Sequence, residues 1–211
     1  MPSARPIILA AALACLAGCA AELPAQGVAR GEVLFQNCTQ CHGVDGGGSD
    51  LVAAPPIAGL PAWYVEVQLN NFQTGLRGAH ADDVEGLKMR PMARTLKSAA
   101  DAKVVAEYVA GLPAKKGAAR VTGDVAKGQA AFATCGACHG TDGSGNEALK
   151  APPLKQIPDW YVVKQLGKFK SGVRAYDPKD ATGATMKGIA SGITDEAAMR
   201  DLAAYIHTLP L

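Results

Sequence analysis

Apolar residues recur at helical spacing in three parts of the chain, and no stretch alternates as a β-strand does. Residues 62–74 and 99–112 each carry one apolar face, and residues 28–37 predict a shorter helix. Ser98 is suited to cap the helix that follows it, and Pro113 stands just after that helix ends. Because loops rich in glycine and proline separate these segments, the pattern predicts an all-α chain.

The helical pattern occurs twice at a constant offset, without a gap. Glycine, aromatic, glutamine and arginine positions all match, and examples are Gly31 with Gly128, Trp63 with Trp160, Gln68 with Gln165 and Arg77 with Arg174. We call such matched residues register partners. In the second copy, Thr194 or Asp195 takes the place of the capping serine. The duplication predicts two small domains, 28–113 and 125–211, joined by a polar, basic linker at 114–124.

The first residues have the pattern of an export signal. Arg5 precedes an apolar stretch at 7–17 that is too short for a stable membrane anchor. The tetrapeptide that ends at Cys19 resembles a bacterial lipoprotein box, which implies removal of residues 1–18 as a signal peptide and lipidation of Cys19. Residues 19–27 would then form a tether. The alternative is cleavage a few residues later, which would release a soluble periplasmic protein.

The pentapeptide Cys-X-X-Cys-His stands at register-partner positions, 38–42 and 135–139. Two thiols at this spacing add across the vinyl groups of one haem, and the adjoining histidine binds its iron. A zinc half-site or a redox dithiol is the alternative, but the histidine, the repetition and the lack of a further CXXC argue against both. The motifs therefore predict two covalently bound haem c groups, attached at Cys38, Cys41, Cys135 and Cys138.

Around these motifs the chain resembles class I cytochrome c, and its duplicated form resembles dihaem cytochrome c4. The resemblance covers nearly everything after residue 27. It rests on G-x-x-x-F-x-x-C-x-x-C-H-G, the P-x-[IL] after it, W-Y-x-x-x-Q-L-x-x-F-x-x-G-x-R, a methionine, and a closing helix with tyrosine. It implies two tandem class I domains, each a few helices around one haem, and an electron-transfer protein rather than an enzyme.

Histidine and methionine are the expected axial ligands of both irons. His42 and His139 follow from the motif. Met89 and Met186 are register partners in loop sequence before the last helix, where class I cytochromes carry their ligand. The candidates without a matching partner in the other copy are Met92, Met199, His80 and His207. Thioether ligation raises the reduction potential relative to bis-histidine ligation and closes the sixth position against oxygen and peroxide.

The resemblance implies further contacts around the haems. Pro55 and Pro152 would accept the Nδ1 proton of the haem histidines, and Ile57 and Leu154 would pack on the porphyrins. The side chains that would bind propionates are Arg77, Arg174, Trp63 and Trp160. The alternative is a solvated surface charge for the arginines and simple core packing for the tryptophans. An acidic group formed by Asp82, Asp83 and Glu85 is expected at the surface. It differs in charge from its counterpart in the other copy, which is Lys179, Asp180 and Thr182.

Three functions are compatible with this sequence. The first is a periplasmic carrier that moves single electrons from a quinol-oxidising complex to a terminal oxidase or another acceptor. The second is the electron-accepting cytochrome subunit of a dehydrogenase, and the third is a dihaem peroxidase, which the two matched methionines disfavour. The net charge is +2 and no basic tract suits nucleic acid. No small-molecule substrate is expected.

Overall fold

The computed structural model of the protein describes residues 26–211, and α-helices build this part of the chain. They are α1 (Gly27–His42), α2 (Ala62–Thr74), α3 (Val84–Ala93), α4 (Ala99–Gly111), α5 (Val125–His139), α6 (Asp159–Lys170), α7 (Ala181–Ser191) and α8 (Glu196–Thr208). Within the same residues, β-structure is limited to two isolated bridges, Ser49 with Ala54 and Asn146 with Ala151. The predicted all-α fold is confirmed.

A close crossing of two helices frames each domain: α1 packs on α4, and α5 packs on α8. A Cβ on Gly31 would lie 2.1 Å from the Val104 carbonyl oxygen, and one on Gly128 would lie 2.0 Å from that of Asp201. Because a Cβ atom cannot approach backbone so closely, only glycine permits these crossings. Tyrosine rings on the last helices then meet phenylalanine rings at centroid distances of 5.2 Å, in the pairs Phe35–Tyr108 and Phe132–Tyr205.

Each domain has its own apolar core. The first contains Phe35, Leu69, Phe72, Val105 and Val109, and the second contains Phe132, Val162, Leu202 and Ile206. Ile157, in the loop before α6, packs against both cores. The two domains are therefore in direct contact through apolar surface as well as through the linker.

Helix bounds differ from the predicted ones in two places. α1 continues through the whole Cys-X-X-Cys-His motif to His42 rather than ending at residue 37. The methionine segments, expected as loops, are helices α3 and α7. Aspartate caps explain why α3 and α7 are helical. Asp83 accepts a hydrogen bond from the Gly86 N–H at 3.1 Å, and Asp180 accepts one from the Gly183 N–H at 2.8 Å.

The remaining helix ends follow the sequence signals. α2 has the predicted bounds, because Pro61 precedes it and Gly75, with φ of 88°, ends it in the left-handed conformation. Ser98 caps α4 by accepting from the Asp101 N–H at 3.1 Å. Of the two candidate caps for α8, the structure uses Asp195, which accepts from the Ala198 N–H.

The linker at 114–124 is held against both domains. Asp159, whose side chain is fully buried, accepts hydrogen bonds from the backbone N–H groups of Arg120 at 2.6 Å and Val121 at 2.7 Å. The Arg120 guanidinium pairs with Asp50 of the first domain at 2.9 Å. These contacts limit the freedom of one domain relative to the other.

Candidate haem sites

Both Cys-X-X-Cys-His motifs occupy the last turns of a helix, α1 or α5. Residues three apart lie on the same side of a helix, so the two thiols of each motif share one face. His42 and His139 are buried, each 6 % exposed. The next residues, Gly43 and Gly140, have φ of 77° and 80°, which turns the chain away from the helix axis. All four thiols are free for thioether bonds.

A proline carbonyl fixes the orientation of each buried histidine. His42 Nδ1 lies 2.9 Å from the Pro55 carbonyl oxygen, and His139 Nδ1 lies 2.7 Å from that of Pro152. Burial lowers the pKa of both imidazoles, and the hydrogen bond to proline offsets only part of that effect. The rings are therefore neutral, with the proton on Nδ1, which leaves Nε2 as the atom that can bind a metal.

The register-partner methionines lie on α3 and α7 and pack against apolar residues of their own domains. Met89, on α3, packs against the core of the first domain. Met186, on α7, packs against a small buried cluster that includes Phe169. Both sit on helices whose N-terminal caps are repeated, so the duplication extends to the local structure that positions them.

A cavity in the second domain brings the predicted haem-binding residues together. Its lining includes Cys135, Cys138, His139 and Met186, with apolar walls from Leu154, Ile157, Leu166, Phe169, Leu202 and Ile206. Tyr64, Gln68 and Arg77 of the first domain also line it, so it opens onto the domain interface. Two thiols, an imidazole and a thioether between apolar walls fit a covalently attached haem. In the first domain, Ile57 packs on the core at the register position of Leu154.

The other candidate ligands lie outside this cavity. Met199 is 5 % exposed within the core that α8 helps to form, as expected, and Met92 is 37 % exposed. His80 Nδ1 lies 3.8 Å from the Asp82 carboxylate. His207 stands in the last turn of α8. In the second domain, the arrangement favours Met186, which lines the cavity, over Met199 and His207. In the first domain, ligation by Met89 stays a prediction.

Two arginines meet at the domain interface. Arg77 Nη1 donates to Gln68 Oε1 at 2.6 Å, and Arg174 Nη1 donates to Gln165 Oε1 at 2.8 Å. Across the interface, Arg77 Nη2 donates to the Tyr161 hydroxyl at 2.8 Å, and Arg174 Nη2 donates to Gln68 Oε1 at 3.3 Å. Because Arg77 is only 9 % exposed, it is not a solvated surface charge.

These guanidiniums place positive charge beside the cavity. Burial raises the pKa of Tyr161, but the nearby Arg77 and Arg174 outweigh burial and lower it. Among residues 26–211, no carboxylate forms an ion pair with either arginine. A haem propionate is an anion of the kind that this position accommodates.

The paired tryptophans are half-buried next to the arginine network. Trp63 lies edge-on to Tyr64 with ring centroids 5.7 Å apart, and Trp160 lies edge-on to Tyr161 at 5.5 Å. The packing role considered from the sequence has a clear structural basis here. The propionate contact of the indole N–H groups stays a prediction.

The acidic group expected at the surface is divided between two environments. The Asp82 side chain is 78 % exposed, whereas Asp83 is 3 % exposed. Lys168 Nζ lies 2.5 Å from both Asp83 Oδ1 and Glu85 Oε2, and Lys164 Nζ lies 2.6 Å from Glu85 Oε1. The surface prediction is therefore wrong for Asp83, which Lys168 of the other domain covers, whereas the Glu85 side chain stays 28 % exposed. Sequence reasoning missed these lysines, since helical lysines without register partners resemble ordinary solvated charges.

Comparison with known proteins agrees with this geometry. The cytochrome c family model matches the chain twice, over residues 28–113 and 125–210. The chain is 32 % identical over 157 residues to the thiosulfate dehydrogenase electron acceptor of Stutzerimonas stutzeri, covering 69 % of this chain and 68 % of the relative.

Two solved structures resemble the whole described fold. Reduced recombinant cytochrome c4 from Pseudomonas stutzeri matches with a TM-score of 0.69 and 27 % identity, over 88 % of this chain and 100 % of that one. A thiosulfate dehydrogenase from Marichromatium purpuratum matches with a TM-score of 0.71 and 32 % identity, over 87 % of this chain and 40 % of that one. The similarity therefore extends across both domains.

Proposed function

Because the chain belongs to the cytochrome c family, as two tandem cytochrome c domains, we propose that it carries single electrons between redox proteins. The resemblance to dihaem cytochrome c4 that the sequence suggested is confirmed. Each cytochrome c domain binds one covalent haem c with its iron, and the chain is an electron-transfer protein rather than an enzyme. The bound iron supplies the one-electron redox chemistry.

The proposed haem-binding residues are those that the fold gathers at the ends of α1 and α5 and on α3 and α7. The thioether bonds are assigned to Cys38, Cys41, Cys135 and Cys138, and the axial positions to His42, Met89, His139 and Met186. Free thiols, neutral imidazoles with Nε2 available, and repeated methionines support this assignment. Methionine in the sixth position keeps small molecules off the metal, which suits electron transfer and disfavours a peroxidase.

The surrounding residues have proposed supporting roles. Pro55 and Pro152 orient the histidines, and Ile57 and Leu154 pack on the porphyrins. The interface arginines, Arg77 and Arg174, neutralise propionates, and Trp63 and Trp160 contribute packing or a propionate contact. Support comes from the carbonyl distances of 2.9 and 2.7 Å and from the absence of a carboxylate partner for the arginines within residues 26–211.

The observation that carries the proposal is the direct contact between the two domains, each of which carries one copy of the haem motif. Ile157 contacts both cores, and Tyr64, Gln68 and Arg77 of the first domain form part of the wall of the second site. This contact supports direct electron exchange between the two domains.

A potentiometric titration of the holoprotein tests this proposal. We expect two reversible one-electron steps per chain at closely spaced, high potentials, because a thioether ligand favours the reduced iron. A single step per chain, or sustained turnover of hydrogen peroxide, would contradict the carrier function.

For the partners, we propose that electrons pass from a quinol-oxidising complex to a terminal oxidase or another acceptor. A second candidate donor is a periplasmic dehydrogenase. Similarity to a thiosulfate dehydrogenase electron acceptor, and to a thiosulfate dehydrogenase structure of which the chain spans 40 %, favours that candidate. Stopped-flow reduction of the oxidised protein by each purified donor, supplied with quinol or thiosulfate, separates them. The physiological donor should reduce both haems within the time of one of its own catalytic turnovers, and the other donor should be slower than that.

We further propose that the protein is exported and tethered on the periplasmic side through lipidated Cys19. The signal peptide and Cys19 lie outside the described residues, so the only support for this proposal is the sequence pattern. Among the residues that the structure describes, no helix is long and apolar enough to cross a membrane. Cys19→Ala should move the protein from the membrane fraction to the soluble periplasmic fraction. Unchanged membrane binding would contradict the anchor.

A further inference from the structure

Four charged residues join the start of α3, in the first domain, to α6, in the second. Lys168 Nζ lies 2.5 Å from Asp83 Oδ1 and 2.5 Å from Glu85 Oε2, and Lys164 Nζ lies 2.6 Å from Glu85 Oε1. The acidic residues belong to one domain and the lysines to the other, so every one of these ion pairs crosses the interface. We call Asp83, Glu85, Lys164 and Lys168 the charge clamp.

The charge clamp is more shielded from water than an ordinary surface ion pair. The side chains of Asp83 and Lys168 are 4 % and 13 % exposed, and that of Glu85 is 28 % exposed. Charge-assisted hydrogen bonds are the strong ones among protein hydrogen bonds, and removal of one partner leaves the other charge uncompensated. The clamp therefore ties the start of α3 to α6 through side-chain contacts.

The clamped helix is the one that carries Met89. α3 has ten residues with Pro91 inside it, which is too short for a helix that must be stable without tertiary contacts. Asp83 Oδ1 accepts from the Gly86 N–H at 3.1 Å and also binds Lys168. One carboxylate thus starts the helix and ties it to the other domain, so the position of Met89 depends on both contacts.

The second domain has no equivalent clamp. In the other copy, the positions of Asp83, Glu85, Lys164 and Lys168 are occupied by Asp180, Thr182, Val67 and Asn71, in that order. Asp180 caps α7 through the Gly183 N–H at 2.8 Å. Within residues 26–211, however, no lysine or arginine pairs with Asp180. The duplicated chain is therefore asymmetric at its methionine helices.

We propose that the charge clamp holds Met89 in its axial position from across the interface. Methionine ligation in the first domain then depends on an ion-paired contact with the second domain, whereas within residues 26–211 no interdomain ion pair holds the cap of the Met186 helix. Asp83 and Lys168 act as positioning residues through α3. Two sites built on one repeat thereby differ in how firmly methionine is held, and the first site responds to loss of the interdomain contact. The inference rests on the proposed ligation by Met89.

A matched pair of substitutions, Asp83→Asn and Asp180→Asn, tests the clamp. Asparagine caps helices about as well as aspartate, so both variants keep their cap, while only Asp83→Asn removes an ion pair. The probe is imidazole, titrated into the oxidised holoprotein, where it competes with methionine for the iron. Asp83→Asn should raise the apparent imidazole affinity of one haem about tenfold, and Asp180→Asn should change it less than about twofold.

Amide hydrogen exchange supplies a readout that does not depend on haem spectra. Exchange in α3 should be faster in Asp83→Asn, and exchange in α7 should be unchanged in Asp180→Asn. If Asp83→Asn does not fold, Lys164→Gln, which removes a more exposed arm of the clamp, should give a smaller change in the same direction. Equal behaviour of the two asparagine variants, or no change in Lys164→Gln, would overturn the proposal.

Met89→Ala separates failure of the clamp from failure of the ligand assignment. If this variant loses the methionine-to-iron charge-transfer absorption of one haem while the asparagine variants behave alike, only the clamp is wrong. If Met89→Ala keeps that absorption at both haems, the ligand assignment and the clamp are wrong together.

Discussion

Gly128 lets α5, the helix that ends in the second Cys-X-X-Cys-His motif, cross α8 at close range. A Cβ added there would lie 2.0 Å from the Asp201 carbonyl oxygen and 2.8 Å from the Tyr205 Cβ. Ordinary contact for a Cβ begins at 3.4 Å, so Gly128→Ala must move the two helices apart by more than an ångström. The backbone oxygen cannot rotate out of the way as a flexible side chain would.

The expected loss of stability is about 2 kcal/mol. Overpacking a tight contact costs about 3 kcal/mol at the upper end of its usual range. Alanine returns about 1 kcal/mol because its helix propensity exceeds that of glycine. Urea unfolding of the holoprotein, followed by circular dichroism, measures the difference as a lower midpoint.

Gly167 supplies the matched control. It lies inside α6, and a Cβ there would meet nothing within 4 Å, so Gly167→Ala should stabilise the protein by about 1 kcal/mol. Gly31→Ala should behave like Gly128→Ala, because its Cβ would lie 2.1 Å from the Val104 carbonyl oxygen. A gain in stability for Gly128→Ala would refute the close crossing and, with it, the reason for the repeated glycine before each haem motif.

Three further outcomes are expected. Burial raises the pKa of Glu85, but hydrogen bonds from Lys164 and Lys168 outweigh burial and lower it from 4.5 to about 2. The ionised Glu85 therefore stabilises the folded protein fully above pH 4.5, and this contribution is lost as the pH falls toward 2. Acid unfolding of Glu85→Gln should therefore show a deficit against wild type at neutral pH that shrinks across this window. Asp159→Ala removes the acceptor of two linker N–H groups and should lower the free energy of unfolding by about 2 kcal/mol. An unchanged thermal midpoint would mean that Asp159 does not hold the linker. Met186→Ala should open one haem to carbon monoxide in the reduced protein, and a variant that still excludes it would disprove the ligand role.

Local sequence signals predicted much of the fold. Pro61 and Gly75 bracket α2, so its bounds were recoverable from the chain alone. The helix predicted at 28–37 stops before the Cys-X-X-Cys-His motif, because the motif itself carries no apolar periodicity, whereas α1 runs through it to His42. α3 was missed because Pro91 and weak apolar periodicity conceal a helix that Asp83 caps.

The interface was beyond sequence reasoning for a physical reason. Repetition showed that Gln68 and Gln165, and Arg77 and Arg174, are register partners, but not that the two sets meet and exchange hydrogen bonds. Which faces of two domains dock depends on the complementarity of whole surfaces, and no helical period encodes that. The charge clamp was hidden further because Glu85, Lys164 and Lys168 have no matching charge in the other copy.

The most direct test of the account is the visible spectrum of the dithionite-reduced holoprotein before and after carbon monoxide is added. We expect no change at either haem, because the proposed histidine and methionine ligands would fill both axial positions of each iron. A shift at one or both haems would show an open or labile sixth position, and would contradict the assignment of the protein as a single-electron carrier with two closed sites.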